Sequence, residues 1–449
     1  MTKIGKYAFH NCNGLLSVEI PNTIRGIDEY AFRGCENLAR VTIPNSVTWI
    51  GECAFLECYS LASVVLPHSS LTICDHAFKS CNLTSVTIPK EVSKIINNPF
   101  PGLTHVNVEA RNPYYNSVNN CNAIIDSRTN TLVVGSNSTI IPETVQTIGI
   151  EAFYGCTIPT INIPNSVRVI GDRAFLASGI ESISFPNSVR SIGEEAFMYC
   201  RLKTFAFPEN LTVIKKGVLS DCYSLESVTM GEYVSDIEDY AFLANMNLKS
   251  ISIPGSVKNI GAQAFYDCHS LAEVYSEITD VFPIDNSVFY VYHGGILDFS
   301  NPPTKNLIMH VPYGLADIYK STQGWNYFTQ YVEMEPVQQI KPFNFSCDKK
   351  GSVTINGTQN ITGKIDMADI NEGADNTFTF APKPGCKLDQ VILNGLDITA
   401  NVENNTLTCT IPANSQMIVT FTSEQGDMNN DGTLDISDVV AIVNKILGN

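Results

Sequence analysis

One phrase recurs through this chain and constrains its fold more than any other feature: Asn-Ser-Val-x-x-Ile-Gly-x-x-Ala-Phe-x-x-Cys, then Leu-x-Ser-Val-x-Ile-Pro. Its phenylalanine falls at Phe9, Phe32, Phe55, Phe78 and Phe100, then at Phe153, Phe175 and Phe197. Leu219 takes the place once, and Phe242 and Phe265 complete the series. The step is 22 or 23 residues everywhere except across one gap. A fixed period of this length marks a solenoid, in which each unit buries its apolar face only against its neighbours. Such molecules present a long surface, which points to binding and away from catalysis.

The pattern inside one unit predicts its local structure. In the second unit Leu38, Val41 and Ile43 alternate inward, and Pro44-Asn45 ends the strand. Val47 and Ile50 point into the core before Gly51, and Ala54-Phe55 opens a brief helical turn that leads to Cys58. Period-2 alternation with β-branched residues supports the strand. Gly51 and its equivalents allow a tight bend where a Cβ would clash.

Eight of the 14 cysteines follow the same clock: Cys12, Cys35, Cys58, Cys81, Cys156, Cys200, Cys222 and Cys268 each lie three residues after the repeat's Phe or its substitute. In a stack they form a ladder of small, buried, apolar side chains. Ser178 and Asn245 fill two rungs, which a covalent framework would tolerate poorly, so free thiols are expected. Off the ladder, Cys386 and Cys409 could pair. No Cys-x-x-Cys spacing occurs, and zinc is not expected.

Composition narrows the partners. Hydrophobic residues make up 44% and charged residues 16%, enough for a filled core. A net charge of −17 argues against nucleic acid or an anionic membrane, because phosphate binding needs concentrated Lys and Arg. No apolar run reaches the ~18 residues of a membrane-spanning helix. Met1-Thr2-Lys3 runs straight into Ile4-Gly5, mid-repeat, so the chain reads as a fragment, its capping unit and any secretion signal lying upstream.

The whole phrase resembles the BspA-like variety of the leucine-rich repeat superfamily, found in bacterial surface proteins. The resemblance covers residues 1–335 and implies adhesion, host interaction or co-aggregation at an extracellular or cell-surface location. Residues 109–140 interrupt the period. Asn122-Ala-Ile-Ile-Asp126 and Thr131-Leu-Val-Val-Gly135 read as a β-hairpin insertion. In this family such insertions project from one side of the stack. The stretch 276–335 resembles the family's C-terminal closing unit, with Trp325 covering the last rung.

Residues 343–422 change character. Short alternating segments separated by Gly, Asn and Pro turns predict a small all-β, sandwich-like module. The fold class expected is therefore mainly β: a leucine-rich repeat solenoid, the sandwich-like module, and a short loop-helix calcium motif at 423–449. In that motif Asp427, Asn429, Asp431, Asp435 and Asp438 occupy loop positions 1, 3, 5, 9 and 12, with Gly432 at 6. Thr433 would supply its backbone carbonyl at position 7. A hard cation such as Ca²⁺ takes six to eight oxygens, and the glycine permits the turn that gathers them. Val439, Val440, Val443, Ile446 and Leu447 follow at helical spacing. Loop plus exit helix resembles one half of a type I dockerin. That resemblance implies a cohesin-type scaffold as partner, with Ile436 and Ser437 helping to set partner choice.

The leading expectation is a secreted or cell-surface binding protein for a protein or glycan partner, on host matrix or other cells. The exposed strand positions Ser17/Glu19, Arg40/Thr42, Ser63/Val65, Ser182/Ser184, Ser227/Thr229 and Ser250/Ser252 are mostly short hydroxyls. They read as an ordinary solvent-facing surface. Specific binding is expected at the irregular hairpin and at Tyr275 near the cap, so removing residues 112–138 should abolish binding and spare the fold. No catalytic residues are expected: seven scattered histidines and the lack of a Gly-x-Ser-x-Gly or His-Glu-x-x-His motif argue against an enzyme. Alternatives are a polysaccharide-processing component of a cohesin–dockerin complex, or an architectural spacer.

Overall fold

Each coil closes through two short extended pieces and a run of tight turns. The computed structural model describes residues 2–292, 307–334, 344–347, 351–355, 358–361, 375–383, 386–393, 396–410 and 416–423. The chain forms two compact units, Met1–Glu335 and Pro336–Asn449, and is mainly β.

The isoleucine at the Ile-Gly position of each coil, whether or not a glycine follows it, ends a two-residue strand, and these strands pair in parallel and in register. Lys3–Ile4, Gly26–Ile27, Trp49–Ile50, Thr72–Ile73 and Lys94–Ile95 form one five-stranded sheet. Ile4, Ile27, Ile50, Ile73 and Ile95 are all buried in one column. The Ser-Val-x-Ile segments form the other face, as with Ser17–Glu19 beside Arg40–Thr42 and Thr204–Ala206 beside Ser227–Thr229. Coils approach closely at the bend: a Cβ on Gly51 would lie 2.7 Å from the Glu29 nitrogen. Only glycine fits there.

The phenylalanines stack as offset, near-parallel rings. Centroids are 5.0 Å apart for Phe9–Phe32, 5.1 Å for Phe55–Phe78 and 4.9 Å for Phe153–Phe175, with planes within 4°. Each such pair contributes about 0.5–1.5 kcal/mol beyond burial. Phe289 extends the stack past the repeat's last phrase, 5.2 Å from Phe265. At the other end Phe9 is 38% exposed, whereas Phe32 is fully buried.

Two expectations about the coil need correction. The segment after Ile-Gly is not a helical turn. Ala54 N–H bonds Gly51 C=O, Leu56 bonds Cys53 and Cys58 bonds Phe55, so it is a chain of four-residue turns. Two left-handed residues per coil make this possible, Cys53 (φ 53°) and Glu57 (φ 63°) in this case. A left-handed non-glycine residue costs about 1–2 kcal/mol, so the turn bonds and close-packed coils must offset it.

The cysteine ladder, likewise, is not simply apolar. Cys35 Sγ–H donates to Phe9 C=O (3.0 Å), Cys58 to Phe32 C=O (3.2 Å), Cys200 to Phe175 C=O (3.1 Å) and Cys222 to Phe197 C=O (3.1 Å). Each of these rungs supplies a donor to a carbonyl of the preceding coil, and Cys81 and Cys268 do the same. Asn245 does the same with Nδ2–H to Leu219 C=O (3.0 Å) and to Phe242 C=O (3.0 Å). A rung therefore accepts Cys or Asn because both are compact donors.

The insertion does not project. Ile124–Asp126 pairs antiparallel with Tyr115–Asn116 and with Thr131–Val134, and Thr131–Val134 then pairs in parallel with Thr147–Ile148 of the next coil. The hairpin is thus a partition between two stretches of solenoid. Tyr115, Ile124 and Val134 pack into the core of the preceding coils. Cys121, Ala123, Ile125 and Leu132 pack into the core of the following ones. Neighbouring residues of a strand point to opposite faces, so Ile124 and Ile125 serve different cores. The chain then leaves the hairpin at Gly135, where a Cβ would meet the Phe153 ring at 2.2 Å.

The partition also caps both interrupted sheets. Lys94–Ile95 is the last strand of its sheet, and Ile95 N–H donates to the Tyr115 hydroxyl (2.8 Å). On the other face His105–Val108 pairs with Ser85–Ile88 on one side only. There Asn122 stands in for a missing strand: Val106 N–H donates to Oδ1 (2.6 Å), and Nδ2–H donates to Thr104 C=O (2.8 Å).

At the C-terminal end of the solenoid unit, strands Ile308–Pro312 and Gln330–Met334 continue the sheet of Ser250–Ile253 and Glu273–Ser276, with a short helix, Ala316–Ser321, between them. Trp325 is fully buried, tilted 6.0 Å from Phe289, and its Nε1–H donates to Phe282 C=O (2.8 Å). It closes the aromatic stack. In the second unit two four-stranded sheets bury Val353, Phe378, Phe380, Val391, Leu407, Met417 and Val419. Cys386 carries a free thiol, so the pairing with Cys409 is not formed.

Candidate functional site

A solenoid can vary its surface only where side chains leave the stack, and they leave it most where the period breaks. Around the hairpin the structure brings together a charged cluster and two hollows.

The cluster occupies the column two residues before each phenylalanine, the first left-handed position of the turns in every coil here but that of Phe100, where Asn97 takes the left-handed conformation in place of Asn98. His76, Asn98, Glu151, Arg173 and Glu195 follow one another there. Asn98 is fully buried, turned inward to donate to Glu151 C=O (2.8 Å) and to accept from Phe100 N–H (3.0 Å). Its inward turn leaves room for His76 Nε2 to reach across to Glu151 Oε2. Arg173 lies 3.7 Å from the other Glu151 oxygen and 2.8 Å from Glu195. Lys79 sits over the Tyr154 ring at 4.4 Å.

The two partners shift in matching directions. Burial pulls the His76 imidazole down, but hydrogen bonds to Cys53 and Glu151 and the charges of Glu151 and Asp75 outweigh it and raise it to about 9. Burial pushes the Glu151 carboxyl up, but the His76 bond and the His76, Lys79 and Arg173 charges hold it below its ordinary range. At neutral pH this is an imidazolium–carboxylate pair clamping coils on either side of the hairpin. Asp75, His76 and Glu151 could in principle ligate a cation, as could His68, Glu91 and Glu109. In the first set the positive charges of His76, Lys79 and Arg173 already occupy that role.

One hollow, of about 500 Å³, lies beyond the His105–Val108 edge and is lined by Ser85, Thr87, His105, Asn107, Asn120 and Asn122, among others. A groove of about 410 Å³ runs along the opposite, Ile-Gly face, lined by Val133, Ile150, Val169 and Asp172 among others. Away from the break the expected strand positions, Ser17/Glu19 through Ser227/Thr229, are exposed and flat. Aromatic side chains gather instead on the turn edge, where Tyr7 and Tyr30 stack at 5.1 Å and Tyr199 and Tyr223 lie 6.5 Å apart.

Tyr275 is half-buried, stacked on His310 at 4.1 Å, with its hydroxyl on Glu273. It belongs to the capping sheet and not to the period break. The calcium-loop residues Asp427, Asn429, Asp431, Thr433, Asp435 and Asp438, and the expected partner-contact residues Ile436 and Ser437, lie outside the described residues. The cluster is not legible in the sequence because its residues come from coils separated by the insertion: His76 and Glu151 stand 75 positions apart. The available signal was the loss of the repeat's Gly-x-x-Ala at Ile96-Asn97-Asn98-Pro99.

Among the described residues no helix is long and apolar enough to cross a membrane. In fold the chain is similar to the pneumococcal vaccine antigen PcpA: 21% identity, 75% of this chain and 85% of that one, TM-score 0.52. It is also similar to a leucine-rich cell surface protein from Faecalibacterium prausnitzii: 28% identity, 66% and 81% covered, TM-score 0.49. A third similar structure is a leucine-rich repeat protein from Bacteroides ovatus: 23% identity, 75% and 88% covered, TM-score 0.40. No curated protein matches. The model of the BspA type leucine-rich repeat region matches six copies, over residues 1–107, 133–243 and 170–293. The stacked coils and the matched repeats agree, and the chain belongs to the BspA-type leucine-rich repeat family.

Proposed function

We propose that this chain is a secreted or cell-surface bacterial binding protein that presents its solenoid to a protein or glycan partner. Its acidic tail would serve as a calcium-dependent attachment segment. One observation carries the binding reading. The repeat residues that could do chemistry are committed inside the stack, whereas the partition at 109–140 builds the concave surface. Cysteines donate to carbonyls and His76 and Glu151 neutralise each other, so the reading makes the protein a binder and not an enzyme. Surface location follows from the family, whose members are bacterial surface proteins. The tail reading rests on the oxygen donors Asp427, Asn429, Asp431, Asp435 and Asp438 with the Thr433 carbonyl, a donor set suited to Ca²⁺. By the dockerin resemblance, Ile436 and Ser437 would face a cohesin-type scaffold.

The test is a pull-down with the full chain against host matrix proteins, whole bacterial cells and cohesin modules, in Ca²⁺ and in EDTA. Retention on matrix or cells supports the solenoid reading, and Ca²⁺-dependent retention on a cohesin supports the tail reading. Retention by none of them would leave the chain an architectural spacer. Release of sugar products from plant or host polysaccharides would instead make it an enzyme.

A further inference from the structure

The hollow beside His105–Val108 has a chemistry unlike the rest of the surface. The chain carries 45 acidic and 28 basic residues, yet among the described residues no carboxylate, ammonium or guanidinium lines this space. Its walls are hydroxyls and amides with one imidazole. Asn122 is committed to capping the Val106 edge and to Ser138 Oγ (2.5 Å), so it holds the wall. The side chains of Ser85, Thr87, His105, Asn107 and Asn120 make no hydrogen bond to any described residue, and Thr87, His105, Asn107 and Asn120 are exposed. On one concave surface this gives donors and acceptors of both kinds, all directed at solvent.

We propose that this hollow is a binding site for neutral saccharide, deepening the surface-binding reading on which it rests. Hydroxyls and amides both donate and accept, which matches a ligand whose every substituent is a hydroxyl or an acetamide. The lack of ammonium and guanidinium groups in these walls disfavours sulfated, sialylated or uronic-acid sugars, because a charged group brought here would lose water and meet at most the one imidazole of His105. The volume of about 500 Å³ falls in the size range of small-ligand sites, which span roughly 300–1,000 Å³. An added peptide strand fits less well. Asn122 already takes Val106 N–H and Thr104 C=O, so the start of this edge is capped and only the short stretch from Val106 C=O onward is left for a ladder.

The experiment uses the full chain on an array of neutral glycans built from glucose, galactose, mannose and N-acetylglucosamine, with sialylated and sulfated glycans alongside. Saturation-transfer NMR with the free monosaccharides follows. Millimolar dissociation constants are expected for single sugars, tightened on the array by multivalent display. Thr87→Val keeps the side-chain shape and removes the hydroxyl, and Asn107→Ala removes an exposed amide. Each should weaken neutral-glycan binding about ten-fold with an unchanged melting temperature. Ser182→Ala on the flat strand face should change nothing. Binding to no neutral glycan, preference for anionic glycans, or binding indifferent to Thr87→Val and Asn107→Ala would each overturn the proposal. If these variants still adhere to matrix or cells as the wild type does, the hollow is not the glycan site, yet the surface-binding reading stands. Capture of an extended peptide abolished by altering Asn122 would replace the saccharide with strand addition.

Discussion

At the residue scale, the rungs of this solenoid are chosen for a hydrogen bond as much as for size. Asn245 shows this most clearly. Its amide serves two carbonyls, while its own Oδ1 is buried without a partner. Asn245→Cys should therefore be neutral or slightly stabilising, because the unsatisfied oxygen is lost and one donor is kept. Asn245→Val should cost about 1–3 kcal/mol, since it leaves buried carbonyls without a donor; urea unfolding distinguishes the two. The His76–Glu151 pair makes a second prediction. His76 is raised from about 6.5 to about 9, so its contribution is complete below pH 6.5 and is lost as pH rises through 9. Glu151 is lowered, so its contribution holds above its ordinary range and is lost as pH falls below it. The melting temperature should decline between pH 6.5 and 9, and His76→Gln should flatten that decline. Cys35 and Cys74 are raised too, to about 11 by burial first, and their contribution is lost as pH rises through the ordinary thiol range near 9. The part of the window below about pH 8, where an unperturbed thiol is still mostly protonated, therefore isolates the histidine. An identical slope in wild type and variant would remove the ion-pair account.

At the scale of elements, the hairpin is the piece that turns one repeat array into two cores sharing a wall. Removing residues 112–138 would therefore strip Tyr115, Ile124 and Val134 from one core and Ile125 and Leu132 from the other. The fold should not survive that deletion, contrary to the reading of a detachable projection. A finer test uses the adjacent pair. Ile124→Ala and Ile125→Ala should each cost about 2–5 kcal/mol. In a molecule where each unit touches only its neighbours, the damage should be local. Hydrogen exchange should rise mainly in residues 72–108 for Ile124→Ala and mainly in 141–180 for Ile125→Ala; the same pattern for both would mean the wall is not two-faced. Much of this architecture was legible beforehand. Val41, Ile43, Val47 and Ile50 alternate inward as their spacing requires, and Trp325 seals the stack. The partition was not legible, though Ala123-Ile-Ile125 and Leu132-Val-Val134 carried the hint of a strand apolar on both faces. The turns were hidden for another reason. Most of their left-handed positions hold residues such as Tyr7, Cys53, His76, Glu151 and Arg173, and glycine stands there in only a few coils, as at Gly34, Gly155 and Gly217, so no regular glycine marked them. Thiol donors were hidden because a cysteine reads as a small hydrophobe.

At the scale of the whole molecule, two solutions to stability stand in one chain. The solenoid unit is held by nearest-neighbour stacking and short strands, and the second unit by the facing sheets of a small sandwich. Neither is expected to need a metal, whereas residues 427–438 hold oxygen donors at loop spacing. Calcium should therefore act locally. Titration calorimetry should show a single site, with a dissociation constant between about 10⁻⁷ and 10⁻³ M for loops of this type. The melting transition of the solenoid should be indifferent to EDTA, because Glu151 is already paired with His76 and Arg173. Asp431→Ala should abolish the calcium heat and leave that transition in place. Glu151→Gln should do the reverse, lowering the transition with the calcium heat unchanged. If EDTA lowers the solenoid transition and Glu151→Gln removes the calcium heat, then the ion sits in the His76 cluster and the tail assignment fails. The double comparison assigns calcium to one place by chemistry alone: an ammonium-like imidazolium excludes a cation, and a loop of carboxylates attracts one.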